Sequence, residues 1–244
     1  MNYICSHDGF TLYDQVAYEV KRNEANGHGN TDGPSENHSW NCGWEGDEGV
    51  PPEVLALRRR QVKNFCCLLL LANGTPMFRM GDEFLQTQRG NNNPYNQDSE
   101  VSWLDWSRLE ENGEVFRFFR GMIAFRRAHR SIARARFWRG DVRWYGVGAT
   151  VDMAHHSHSL AYCLHGASQD DQDIYVMINA WWQPLTFVVQ EGPAGRWKRV
   201  VDTSLPSPND LLEPGQEAPL ADLQYQVAPR SVVVLVADSK PNEG

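Results

Sequence analysis

The chain has 244 residues, 41% of them hydrophobic and 22% charged, which is enough apolar material for one large domain or two ordinary ones. Its formal net charge of −8 argues against a nucleic-acid surface, and no apolar run approaches the roughly 18 residues of a membrane span. Five cysteines, an odd number with no CxxC pair, read as reduced thiols of a cytoplasmic protein, and the first residues do not resemble a signal peptide.

Residues 2–5 form a short apolar run that ends in the polar corner Ser6-His7-Asp8. Residues 23–49 are rich in Gly, Asn, Asp and Ser, with Trp40 and Trp44 embedded; so long a stretch without a core pattern marks a functional loop. Pro51-Pro52-Glu53 opens a helix expected over residues 53–73, with apolar positions at helical spacing and a stop at Asn73-Gly74. Within it, Arg58-Arg59-Arg60 reads as a solvated face and Cys66-Cys67 as core. Residues 76–80 are a second short apolar run, again ending in acids, Gly81-Asp82-Glu83.

The polar stretch "GNNNPYNQDSEVSWLDW" (residues 90–106) follows. An amphipathic helix comes next, with Val115, Phe118, Phe119, Met122 and Phe125 at spacings of three and four. The order strand, loop, helix, strand, loop, helix implies parallel strands joined by helices, whose carboxyl ends hold ligands. Beyond about residue 136 the texture changes to short β-branched segments at 142–145, 159–164, 174–179, 185–190, 199–202 and 231–237, separated by Gly-, Pro- and Asp-rich turns. That pattern predicts an antiparallel β-sandwich with a short polar tail after it.

Both acid clusters fall at the ends of the two apolar runs. Flat aromatics (Trp40, Trp44, Tyr95, Trp103) and amides (Asn91, Asn92, Asn93, Gln97) in the adjoining loops suit pyranose faces and hydroxyls, although the amide run is equally compatible with turn chemistry. His155, His156 and His158 have no carboxylate or cysteine partner nearby in sequence, and no metal is expected there.

The stretches "ICSHDGFTLYDQVAYEVKRNEANGHGNTDGPSENHSWNCGWEG", "LALRRRQVKNFCCLLLLANGTPMFRMGDEF" and "DIYVMINAWWQPLTF" resemble the bacterial glycogen debranching enzymes and isoamylases of the α-amylase superfamily. The resemblance implies the C-terminal part of a (β/α)8 TIM barrel, about its last two βα units, over residues 1–135, and a C-terminal antiparallel β-sandwich domain over residues 136–244. It implies retaining hydrolysis of α-1,6 branch linkages in glycogen or limit dextrin. By motif, Asp8 matches the carboxylate that stabilises the transition state and His7 the histidine that hydrogen-bonds the sugar. Asp82, Glu83, Asn91, Asn92, Asn93 and Trp40 are then substrate-side residues, with Asp82 and Glu83 supporting the floor and loop of the site.

The same resemblance places the nucleophile and the acid/base upstream, so this chain alone is expected to be inactive and to partner with the missing N-terminal part of the enzyme. The chemistry calls for no cofactor and no metal. The alternative is a non-catalytic α-glucan-binding or regulatory module. Two departures from the family pattern stand out: Leu85-Gln86 where Gly-Arg is usual, and Asn96 where a cysteine is usual.

Overall fold

The computed structural model describes residues 1–237, so the expected polar tail lies outside the described residues. The chain separates into two compact units, Met1–Leu69 with Thr75–Arg120, and Leu70–Gly74 with Gly121–Gly244.

The first unit is built on two helices. Proline at the first turn starts α1 (Pro52–Leu70), because its missing N–H is one of those a helix start leaves unpaired. A short α2 (Ser107–Glu111) precedes α3 (Gly113–Ala128), on which Val115, Phe118, Phe119 and Met122 are all buried at the predicted spacing. Around a small gap, Phe65, Cys66 and Leu69 of α1 close on Phe119 of α3, Phe78 and Leu12, and Phe78 meets Phe119 edge-on at 5.6 Å.

The two parallel strands expected at residues 2–5 and 76–80 come down to one parallel bridge between Asn2 and Pro76. The Asn2 N–H donates to the Thr75 carbonyl and its carbonyl accepts from Met77 N–H, both at 2.8 Å. The pairing ends there, because Tyr3 and Met80 face solvent and Pro76 has no N–H to extend the ladder.

In the second unit Arg126 closes the end of α1, donating to the carbonyls of Leu70 at 2.6 Å and Ala72 at 2.8 Å. After a four-residue α4 (Arg130–Ala133) come eight strands: β1 (Val142–Tyr145), β2 (Ser159–Leu164), β3 (Asp173–Asn179), β4 (Leu185–Val188), β5 (Lys198–Asp202), β6 (Ala218–Pro219), β7 (Gln224–Val227) and β8 (Ser231–Ala237). They form a six-stranded antiparallel sheet in the order β1-β2-β3-β8-β5-β6 and a separate antiparallel pair, β4-β7.

The two sheets share one core. Cys163, Tyr175, Met177, Val233 and Leu235 of the large sheet enclose Phe187 and Val227 of the small one, with Trp197 fully buried among them. The Trp197 indole N–H donates to the Glu191 carbonyl, as a buried indole requires. The β-sandwich reading therefore holds. β8, with seven buried residues of which five are β-branched or Leu on both faces, is its central strand.

Candidate functional site

All the residues of the polar corner and its loops lie in the first unit. After Cys5 the chain turns outward, so the His7 and Asp8 side chains are 90% and 80% exposed, with His7 Nε2 3.4 Å from Asp8 Oδ2. Gly9 follows in the left-handed region at φ +83°, and its N–H donates to the Asn92 carbonyl at 3.0 Å. From Phe10 to Tyr18 the chain is almost wholly buried. The corner is thus an outward excursion between two anchored ends.

Asp82 is what anchors both ends. Its side chain is 1% exposed. One oxygen accepts from Leu12 N–H at 3.1 Å; the other accepts from Arg79 N–H at 2.8 Å and from the Cys5 thiol at 3.1 Å. Two of the three donors, the Cys5 thiol and Leu12 N–H, therefore tie a single carboxylate to the residues before and after the corner, and the third, Arg79 N–H, ties it to its own turn. Burial raises the Asp82 pKa and the three hydrogen bonds oppose that rise. So enclosed a group lies beneath the corner with both of its oxygens engaged by backbone and thiol donors. Half-buried Glu83 turns back on its own loop and accepts from Gly81 N–H at 2.9 Å.

The Asn run is also engaged. Asn92 donates to the Pro34 carbonyl at 2.9 Å and to Asn37 Oδ1 at 2.7 Å, and accepts from Asn23 Nδ2 at 2.8 Å. Asn91 exchanges amide bonds with Asn26, and Asn93 donates to Asp32 Oδ2 at 2.9 Å. Asn91 and Asn92 are fully buried, so their amides knit the 23–49 loop to the 90–106 loop instead of meeting hydroxyls. Asn23 and Asn26, the partners, were not singled out in the sequence; an isolated Asn in a long loop carries no signal until its partner is known. Trp40 is half-buried and its backbone N–H donates to the Gln15 carbonyl at 2.9 Å, while Trp44, Tyr95 and Trp103 are exposed.

Arg58 overturns the solvated-face reading of the Arg triplet. It is completely buried, and its guanidinium donates to Asp47 Oδ1 at 3.0 Å and to the carbonyls of Trp44, Asn41 and Ala17. A planar fork of five donors suits a loop that offers several acceptors at once. Helical position alone could not reveal this, because the loop before the helix folds back over Arg58.

The Leu85-Gln86 departure has structural consequences. Leu85 sits at φ +63°, a left-handed conformation that glycine adopts freely and that costs a leucine about 1–2 kcal/mol. Gln86, in place of the usual arginine, donates to the Trp103 carbonyl at 2.9 Å and accepts from Asp105 N–H at 3.0 Å, bracing the end of the Asn-rich loop.

Asp14 is a further buried carboxylate under the corner, accepting from the Thr87 hydroxyl and from Gln88 N–H at 2.8 Å. Burial pushes its pKa up to about 6. A carboxyl whose folded pKa exceeds its unfolded value binds a proton more readily in the folded state. Its contribution to stability is complete below about pH 4 and lost as pH rises through about 6. Thermal melts across pH 4–7 are expected to show a component, on the order of 3 kcal/mol, that declines in the wild type and is missing from Asp14→Asn.

Among the histidines, His155 and His156 are exposed and His158 stacks on Trp181 at 4.9 Å. Among the described residues, the donor atoms gathered within 4.8 Å of one another belong to Cys163, His165 and Glu191. Glu191 already accepts from the Tyr145 hydroxyl at 2.6 Å and has the Arg143 guanidinium 3.6 Å away, so this trio reads as an ion and hydrogen-bond cluster with its own cation.

Comparison with known proteins places this arrangement. Residues 141–236 match the family described as "Isoamylase, C-terminal". The chain is 41% identical over 242 residues to Isoamylase 3, chloroplastic, of Oryza sativa subsp. japonica, covering 97% of this chain and 30% of that protein. It is 49% identical over 214 residues to the glycogen operon protein GlgX homolog of Mycobacterium tuberculosis (strain ATCC 25618 / H37Rv), covering 84% of this chain and 27% of that protein. The chain thus spans about 30% of the length of the curated relatives it matches. Its fold is similar to the pullulanase from Bacillus acidopullulyticus (TM-score 0.67, 21% identity, 96% of this chain and 24% of that one). It is also similar to the pullulanase of Anoxybacillus sp. LM18-11 complexed with maltotetraose (TM-score 0.64, 21% identity, 97% and 27%).

Proposed function

Because the chain belongs to the isoamylase and glycogen-debranching family and corresponds to its C-terminal portion, we propose that it supplies one wall of an α-1,6-debranching site whose reacting carboxylates lie in the rest of the enzyme. In this reading residues 1–135 complete a (β/α)8 catalytic barrel and residues 136–244 form the C-terminal β-sandwich domain. The substrate is a branched α-glucan such as glycogen or a limit dextrin, and the linkage is hydrolysed with retention of configuration.

The observation that carries the reading is the His7–Asp8 corner. Two acceptor- and donor-bearing side chains stand in solvent, while Asp82 and the Gly9–Asn92 bond hold the backbone on either side of them. An exposed pair on a braced backbone is pre-organised to receive a sugar without rearranging. Asp8 accepts hydroxyl hydrogen bonds from the distorted ring and so stabilises the transition state, and His7 bonds the same sugar. The nucleophile attacks the anomeric carbon and the acid/base protonates the departing oxygen, then activates the water that frees the sugar. Asp82 and Arg58 act as positioning residues, the first beneath the corner and the second beneath the long loop. Five buried cysteines in the thiol form suit a cytoplasmic setting.

A non-catalytic α-glucan-binding module is the second reading, favoured by the exposed aromatics Trp44, Tyr95 and Trp103. A chimera separates the two. The 244 residues replace the matching segment of a full-length GlgX homologue, and release of reducing ends from a branched dextrin is measured. Turnover is expected; a folded, soluble chimera without turnover contradicts the catalytic reading.

A further inference from the structure

We propose that the turn joining β3 to β4 is a second α-glucan-binding site, centred on Trp182 and backed by Trp181 and His158. The proposal rests on the α-glucan reading above for its ligand class, and on a separate set of residues for its geometry.

Turns favour Gly, Pro, Asn, Asp and Ser, yet this one carries two adjacent tryptophans. Trp182 is 56% exposed and Trp181 half-buried. Their ring centroids are 5.6 Å apart with planes at 46°, and the His158 ring lies almost parallel to Trp181 at 4.9 Å and 16°. The three rings form a continuous group, His158 stacked on Trp181 and Trp182 tilted against it, that ends in solvent at Trp182. A single exposed aromatic is unremarkable on a protein surface; a stacked group ending in the largest side chain is a patch that binds something.

The turn is also rigid. Buried Asn179 donates from one amide group to the carbonyls of Gln183 at 2.9 Å, Ala228 at 3.0 Å and Val227 at 3.2 Å, and its oxygen accepts from Trp181 N–H at 2.9 Å. Arg230 N–H donates to the Trp181 carbonyl at 3.0 Å, and Ala180 N–H to the His158 carbonyl at 2.8 Å. Every backbone path into the tryptophans is therefore fixed, so a ligand meets the rings without the cost of ordering them.

The ligand class follows from ring geometry and edge chemistry. The C–H face of a glucose lies flat on an indole, while the ring nitrogens of exposed His158 and the amide of exposed Gln183 are available to hydroxyls at the rim. Successive rings of a flat β-1,4-glucan call for coplanar aromatics. The Trp181 and Trp182 planes, inclined at 46°, give no such platform, and the one exposed indole face, that of Trp182, suits a single sugar of a curved α-1,4-glucan.

The test is affinity electrophoresis of the 244-residue chain in native gels containing glycogen, with soluble hydroxyethyl cellulose as the β-glucan control. Variants Trp182→Ala and Phe137→Ala, the latter removing an exposed aromatic with no place in either site, are run beside the wild type, and thermal melts check that all fold alike. Trp182→Ala is expected to weaken retention by glycogen about tenfold, the size of one lost stacking contact, while Phe137→Ala and the cellulose gel show no such effect. Equal retention of Trp182→Ala and wild type overturns the site, as does absence of retention in the wild type or equal retention by the cellulose derivative. None of these outcomes alters debranching by the chimera, which reads the first site separately.

Discussion

Incubated alone with glycogen or a branched limit dextrin, the 244-residue chain is expected to release no reducing ends above a blank. Retaining hydrolysis needs two carboxyl groups about 5 Å apart, one to attack and one to protonate the leaving oxygen. Of the acids near the corner, Asp8 stands in solvent beside His7, Asp82 is buried with its oxygens engaged by three donors, and Glu83 accepts from Gly81 N–H within its own turn. None of the three is placed to attack while another protonates. Loss of a nucleophile lowers turnover on the order of a million-fold, below any reducing-end assay. Release that disappears in Asp8→Asn would show that an attacking carboxylate and its acid partner are contained in these residues after all.

The second large effect concerns folding. Arg58→Met is expected to destabilise the chain by about 3 kcal/mol, because the several hydrogen bonds of a fully buried guanidinium are lost together. Asp47 loses its guanidinium, and the carbonyls of Trp44, Asn41 and Ala17 lose donors in a space that water does not readily enter. Arg58→Lys should recover only part of this, since an ammonium cannot span acceptors arranged around a fork. The measurement is the midpoint of urea unfolding together with proteolysis of the 23–49 loop. A midpoint unchanged from wild type would mean that the loop is held by its asparagine bonds alone.

The β-domain was largely legible because each of its long strands carries its own pattern. Residues 142–145, 159–164 and 231–237 coincide with β1, β2 and β8 as observed, and the rich supply of Val in β8 marks a strand buried on both faces. The strands that escaped notice are β6, only two residues long, and β7, whose Gln224-Tyr225-Gln226 offers no apolar run. Tyr225 and Val227 face the core, but the alternation is too short to register before its partner β4 is known.

The first unit was harder to read, since its organisation is set by contacts between residues far apart. Helices α1 and α3 announce themselves through 3.6-residue periodicity. The corner His7–Asp8 stands exposed where the short apolar run ends. What the amides do was not legible: Asn91 and Asn92 look the same in sequence whether they face a sugar or another asparagine 65 or 69 positions away. Arg58 misled for a similar reason, because charge on a helix usually means solvent and only the covering loop makes it otherwise. Leu85, by contrast, marks its own strain once the family glycine at that place is considered.

The account turns on Asp8, and the most direct measurement is the turnover of the Asp8→Asn chimera on a branched dextrin. Neutralising the carboxylate removes its stabilisation of the transition state and leaves the braced backbone of the corner in place. A fall in kcat of about a hundred- to a thousand-fold with little change in the thermal melt is the predicted result. Undiminished turnover would contradict the assignment of the corner to a debranching site.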